Sequence, residues 1–159
     1  MLEKKSMYLD ELMPLIREQL DSGASVRIYP RGVSMLPMIR EGEDSVVISS
    51  LPSELKKYDV ILYQRRNGQY VLHRLIKIGE SYTFLGDHQF IAERGIERDQ
   101  LIARVSLLYR GERAVSVDKF SYKIFCGLWC FTRPMRRLCN FSVSFVKRIV
   151  NKIIRSAKS

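Results

Sequence analysis

Asp59-Val60-Ile61-Leu62-Tyr63-Gln64, then Arg65-Arg66-Asn67-Gly68, then Tyr70-Val71-Leu72-His73-Arg74-Leu75-Ile76-Lys77-Ile78 is the stretch that decides the fold class. Two runs rich in β-branched and aromatic residues flank a turn whose Asn-Gly pair supplies positive φ at little steric cost. The stretch therefore reads as a β-hairpin. Period-2 geometry in the second run puts Val71, His73 and Leu75 on one face. Similar short runs lie to either side: Ser25–Tyr29 and Ser45–Ser49 before it, Tyr82–Leu85 and Leu101–Tyr109 after it. Ile78-Gly79-Glu80-Ser81 reads as a second turn. No helix of ordinary length fits between these runs, so residues 25–110 are expected to form a mainly β, predominantly antiparallel sheet or barrel.

The flanks read differently. Met7, Leu9, Leu12, Leu15, Ile16 and Leu20 recur at helical spacing, predicting an amphipathic N-terminal helix over Ser6 to Leu20, closed by Asp21-Ser22-Gly23. The 159 residues, 46% of them apolar, are enough for one well-cored domain. Its charge is lopsided. Residues 1–109 hold 15 Lys and Arg against 15 Asp and Glu, whereas residues 110–159 hold 12 against only Glu112 and Asp118, which accounts for the whole net charge of +10. The chain thus divides into a nearly neutral body, residues 1–110, and a basic, aromatic helical tail, residues 111–159.

Within that tail, Phe141, Phe145, Ile149 and Ile153 fall on one helical face, with Lys147, Arg148, Lys152 and Arg155 around them. Trp129 lies in the aromatic run Phe120 to Phe131. Cationic amphipathic helices beside aromatic residues suit an anionic membrane surface, the partner expected for residues 120–159; no nucleic acid is expected. No secretory signal is visible, and no apolar run reaches spanning length, so the expected location is cytoplasmic and peripherally membrane-associated. Cys126, Cys130 and Cys139 are odd in number and lack nearby histidines, which reads as buried thiols with neither a disulfide framework nor a metal site. No cofactor is expected.

The chemistry centres on Gly32-Val33-Ser34-Met35-Leu36-Pro37. Gly32 removes bulk beside the hydroxyl and Pro37 stiffens the loop exit, so Ser34 is held in a defined pose. A nucleophilic serine needs a base. Of the two histidines, His73 and His88, His73 lies in the strand with the clearest alternation. Its imidazole in turn needs a carboxylate to fix the tautomer. Asp87, at a strand end in Leu85-Gly86-Asp87, and Glu93, in Ala92-Glu93-Arg94-Gly95, both qualify.

These motifs together resemble the signal-peptidase clan of serine proteases (S24/S26 peptidases), in particular the Ser–His branch of endoplasmic-reticulum and archaeal signal peptidases. The family pattern G-x-S-M-x-P is met at Gly32 to Pro37. Further matches follow in order at Gly42-Glu43-Asp44, Tyr58-Asp59-Val60-Ile61, Val71-Leu72-His73-Arg74-Leu75, Leu85-Gly86-Asp87 and Ile102-Ala103-Arg104-Val105. The resemblance spans about residues 25–110. It implies a signal-peptidase/LexA-like antiparallel β fold with Ser34 as nucleophile and His73 as general base. It matches Asp87 and Glu93 to the family's two acids and leaves both standing as the partner of His73. With Gly32 two residues before the serine, the backbone N–H of Ser34 would stabilise the oxyanion. Relatives with a Ser–Lys pair, the bacterial signal peptidases and self-cleaving repressors, carry lysine where His73 stands.

The implied function is a serine endopeptidase cleaving a precursor or leader peptide. The alternative is a catalytically weak or inactive peptide-binding module of the same fold at the membrane surface. A self-cleaving repressor ranks below both: about 24 residues before the sheet are too few for a helix-turn-helix domain.

Overall fold

The computed structural model describes residues 9–136. Helix α1 (Leu9–Asp21) leads into eight strands: β1 (Val26–Ile28), β2 (Asp44–Ser49), β3 (Val60–Gln64), β4 (Tyr70–Lys77), β5 (Tyr82–Leu85), β6 (Glu93–Ile96), β7 (Leu101–Arg110) and β8 (Arg113–Ser116). Helix α2 (Phe120–Phe131) follows. All pairings are antiparallel, in the order β1-β2-β7-β3-β4-β5-β6, with β8 added to β7. The protein is therefore mainly β. The amphipathic tail segment at residues 141–154 and the start of the N-terminal helix at residues 6–8 lie outside the described residues.

The expected hairpin forms as its sequence dictates. Tyr70 pairs with Gln64 and His73 with Ile61, while Gly68 takes φ 89° at the turn. Strand β3 is buried on both faces, which explains its unbroken apolar run. Val60 and Leu62 enter one cluster with Met13, Ile16 and Leu20 of α1 and with Met35, Met38 and Ile39. Ile61 and Tyr63 enter another with Leu75, Phe84, Ile96 and Leu101. Helix α1 stops where expected: Gly23 takes φ 81°, and the N–H groups of Gly23 and Ala24 satisfy the Leu20 and Gln19 carbonyls.

Two strands were not anticipated. Strand β6 opens at Glu93. Strand β8 carries the sheet past residue 110 to Ser116, so the first residues of the basic segment belong to the β structure. Helix α2 also joins the body, because Cys126 is fully buried in the α1-side cluster. Irregularities in the β2/β7, β3/β7, β4/β5 and β5/β6 registers increase the local twist and bend the sheet, which thereby offers two separate interior faces.

Candidate active site

His73 projects from β4 into the cluster built on Leu75 and Phe84, and its side chain is 2% exposed. Nδ1 lies 3.3 Å from Glu93 Oε1 and 3.3 Å from the Tyr63 hydroxyl. Glu93 is held by Arg65, whose Nε donates to Oε2 at 2.9 Å and whose Nη2 pairs with Oε1. The Tyr63 ring is fixed by stacking on Phe84 at a centroid separation of 4.7 Å. Residues on β3, β4 and β6 thus converge on one imidazole.

The electrostatics follow from this enclosure. Burial lowers the His73 pKa below its ordinary 6.5, and the Glu93 charge pulls against that shift without reversing it. The hydrogen bond from Arg65 holds the Glu93 carboxyl below its usual range, with the Tyr63 hydroxyl adding to the effect. Burial and Glu93 raise the Tyr63 pKa, so its hydroxyl stays protonated and can donate. An ionised carboxylate only accepts hydrogen bonds. Glu93 opposite Nδ1 therefore selects the tautomer with its proton there and leaves the lone pair on Nε2.

Asp87 lies elsewhere, for a reason that strand geometry supplies. Adjacent residues of a strand face opposite sides, so Arg74 points away from the face that carries His73. Asp87 follows Arg74: Nε to Oδ1 is 2.8 Å and Nη2 to Oδ2 is 2.7 Å, with both side chains fully buried. The same guanidinium donates to the Tyr58 carbonyl and contacts the Tyr122 hydroxyl. The carbonyl of Asp87 accepts from Trp129 Nε1 at 3.1 Å. Of the two candidate acids, Glu93 stands beside His73 and Asp87 ties the strand end to α2.

Ser34 sits half-buried in the loop between β1 and β2. Met35, Met38 and Ile39 anchor that loop in the core. Glu41 accepts from the Gly32 N–H at 3.0 Å, and Asp44, buried at the start of β2, binds Arg40 at both backbone and side chain. The Ser34 carbonyl accepts from the His88 N–H at 2.9 Å. The side chain of His88 is exposed. Gly86 explains the close approach: a Cβ there would lie 2.6 Å from the Ser34 carbonyl oxygen. Arg74, the residue after His73, pairs with Leu85, the last residue of β5 and the chain neighbour of Gly86.

Gly86, one residue past the end of β5, therefore borders the serine loop, and β5 is the strand that pairs with β4 beside His73. Among the described residues no hydrogen bond joins Ser34 Oγ to the imidazole. A cleft of about 600 Å³, lined by Arg65, Gln89, Phe90, Ile91 and Glu93, opens beside this network.

Tyr63 and Arg65 had not been singled out, although the hairpin register contained the signal. Residues 61, 63 and 65 alternate onto the face that His73 shares, and a Tyr and an Arg there are polar among apolar neighbours. Among the described residues no group of three or more His, Cys, Asp or Glu side chains is placed to hold a metal ion. Neither models of known protein families nor curated proteins match this sequence.

Proposed function

We propose that the protein is a serine endopeptidase of the signal-peptidase type, with the corresponding antiparallel β fold, acting on a precursor or leader peptide. The observation that carries this reading is the oriented imidazole. Nδ1 faces the ionised Glu93 at 3.3 Å, and the serine loop abuts Gly86, which follows the Leu85 that pairs with Arg74 next to His73. In this mechanism His73 Nε2 takes the proton of Ser34 Oγ as that oxygen attacks the scissile carbonyl. Glu93 stabilises the imidazolium that forms, and the proton passes to the leaving amine as the C–N bond breaks. Water, deprotonated by the same nitrogen, then hydrolyses the Ser34 ester and frees the new carboxyl terminus. Strand β1 supports an extended substrate. It is an edge of the sheet, and the chain runs from it directly into the Ser34 loop.

The second reading, a peptide-binding module without turnover, is favoured by the missing Ser34–His73 hydrogen bond. A peptidyl boronate ending in alanine separates the two, since it mimics the tetrahedral intermediate and the family resemblance implies a small residue before the cut. A peptidase binds it about 10²-fold or more tightly than the matching peptide amide, and Ser34→Ala removes the difference. Equal affinity for the two compounds would establish the binding module.

A further inference from the structure

Helix α2 has two apolar faces, and the body covers only one. On the inner side Cys126 is fully buried, Tyr122 meets Arg74, and Trp129 donates to the Asp87 carbonyl. On the other side Phe120, Ile124, Leu128 and Phe131, with Met135 in the helical turn at 133–136, follow at intervals of four, four, three and four residues. That spacing is a single helical stripe. Its members are exposed from 46% at Ile124 to 81% at Phe131. Scattered surface hydrophobes need no explanation, but five in register on one helix mark an interaction surface.

Charge selects the occupant. Residues 119–136 contain Lys119, Lys123, Arg133 and Arg136 and no acidic residue. Lys119 and Lys123 border the stripe, Lys123 lying 3.6 Å from Asp118, while Arg136 turns inward onto Trp129 and the Asp87 carbonyl. A second copy would still set net positive charge against net positive charge. The residues beyond 136 add six more Lys and Arg and no acid, which continues the net positive charge that an anionic surface attracts. Nucleic acid would match the charge and leave the phenylalanines and leucine in water. An anionic lipid interface satisfies both features: acyl chains take the stripe and headgroups take the cations. The 12-residue helix is about 18 Å long, far short of the hydrocarbon thickness, so it lies in the plane of the interface.

We infer that the outer face of α2 docks the protein on anionic membranes. Because the inner face grips Asp87, directly after Gly86, docking holds the Ser34 loop, whose carbonyl abuts Gly86, near the lipid surface. The second consequence, that substrates are met at the membrane, rests on the peptidase reading; the docking itself does not.

The test is co-sedimentation of the full chain with phosphatidylcholine vesicles, with and without phosphatidylglycerol, for wild type, Leu128→Glu/Phe131→Glu and Leu128→Ala/Phe131→Ala. The expected result is binding that requires phosphatidylglycerol, weakens with salt, and falls about tenfold or more in both double variants. Because both positions face solvent, the variants should keep the wild-type thermal midpoint. Equal binding by variants and wild type, or equal binding to neutral vesicles, would overturn the inference. So would a wild-type dimer that the variants render monomeric without any vesicle binding. Ser34→Ala is expected to bind vesicles as wild type does, so loss of the peptidase reading would leave this result untouched.

Discussion

At the scale of single residues, the account turns on two acids with different duties. In the proposed mechanism Glu93, 3.3 Å from Nδ1, positions His73. Glu93→Gln should lower kcat by about 10²-fold or more while leaving the thermal midpoint close to wild type, because its carboxylate is partly exposed. Asp87→Ala should do the reverse to stability. It strands a fully buried Arg74, at a cost of about 3–5 kcal/mol measurable by chemical denaturation. His73 sets the pH dependence. Its pKa is lowered by burial, so the acid limb of kcat/KM against pH should have its midpoint below 6.5. The same shift makes the unfolded chain bind the proton more readily than the folded one. The His73 contribution to stability is therefore complete above 6.5 and is lost as the pH falls below it. A wild-type acid limb centred above 6.5 would argue against His73 as the base.

At the scale of elements, the decisive contact is between the serine loop and the end of β5. Gly86→Ala would set a methyl group 2.6 Å from the Ser34 carbonyl oxygen, so one of the two segments must move. We expect this variant to lose at least about tenfold in kcat/KM, with a lowered thermal midpoint, while Gly79→Ala, whose Cβ meets only an ordinary contact, changes neither appreciably. The elements differ in how plainly the sequence announces them. The β3–β4 hairpin was legible because eight-residue alternation and an Asn-Gly turn agree. Strands β6 and β8 were not. Each is four residues long, too short for a period to emerge, and β6 carries Gly95 at φ 72°. Strand β8 exists because the ten-residue β7 offers it an edge, whereas β6 extends the sheet from β5, itself only four residues long. The choice between Asp87 and Glu93 was hidden for a related reason. It depends on β6 being a strand, and on Arg74, adjacent to His73 and on the opposite face, capturing Asp87.

At the scale of the whole molecule, a charge-balanced sheet domain carries a largely apolar helix in a basic segment, its inner face packed on the body and its outer face exposed. Among the described residues no helix is long and apolar enough to cross a membrane. The division of charge was plain from composition. That α2 packs through Cys126 and Trp129 and leaves the Phe120–Phe131 stripe outward was not, because both faces of the helix are apolar and only the packed body distinguishes them. The central claim is that Ser34 and His73 cleave peptides as a unit. The most direct measurement is incubation of the wild-type chain with a proteome-derived peptide library and identification of the new termini by mass spectrometry. The account predicts a defined set of cuts following small residues, reduced by about four orders of magnitude in both Ser34→Ala and His73→Ala. Absence of new termini with wild type, or the same cuts at undiminished rate in either variant, would contradict it.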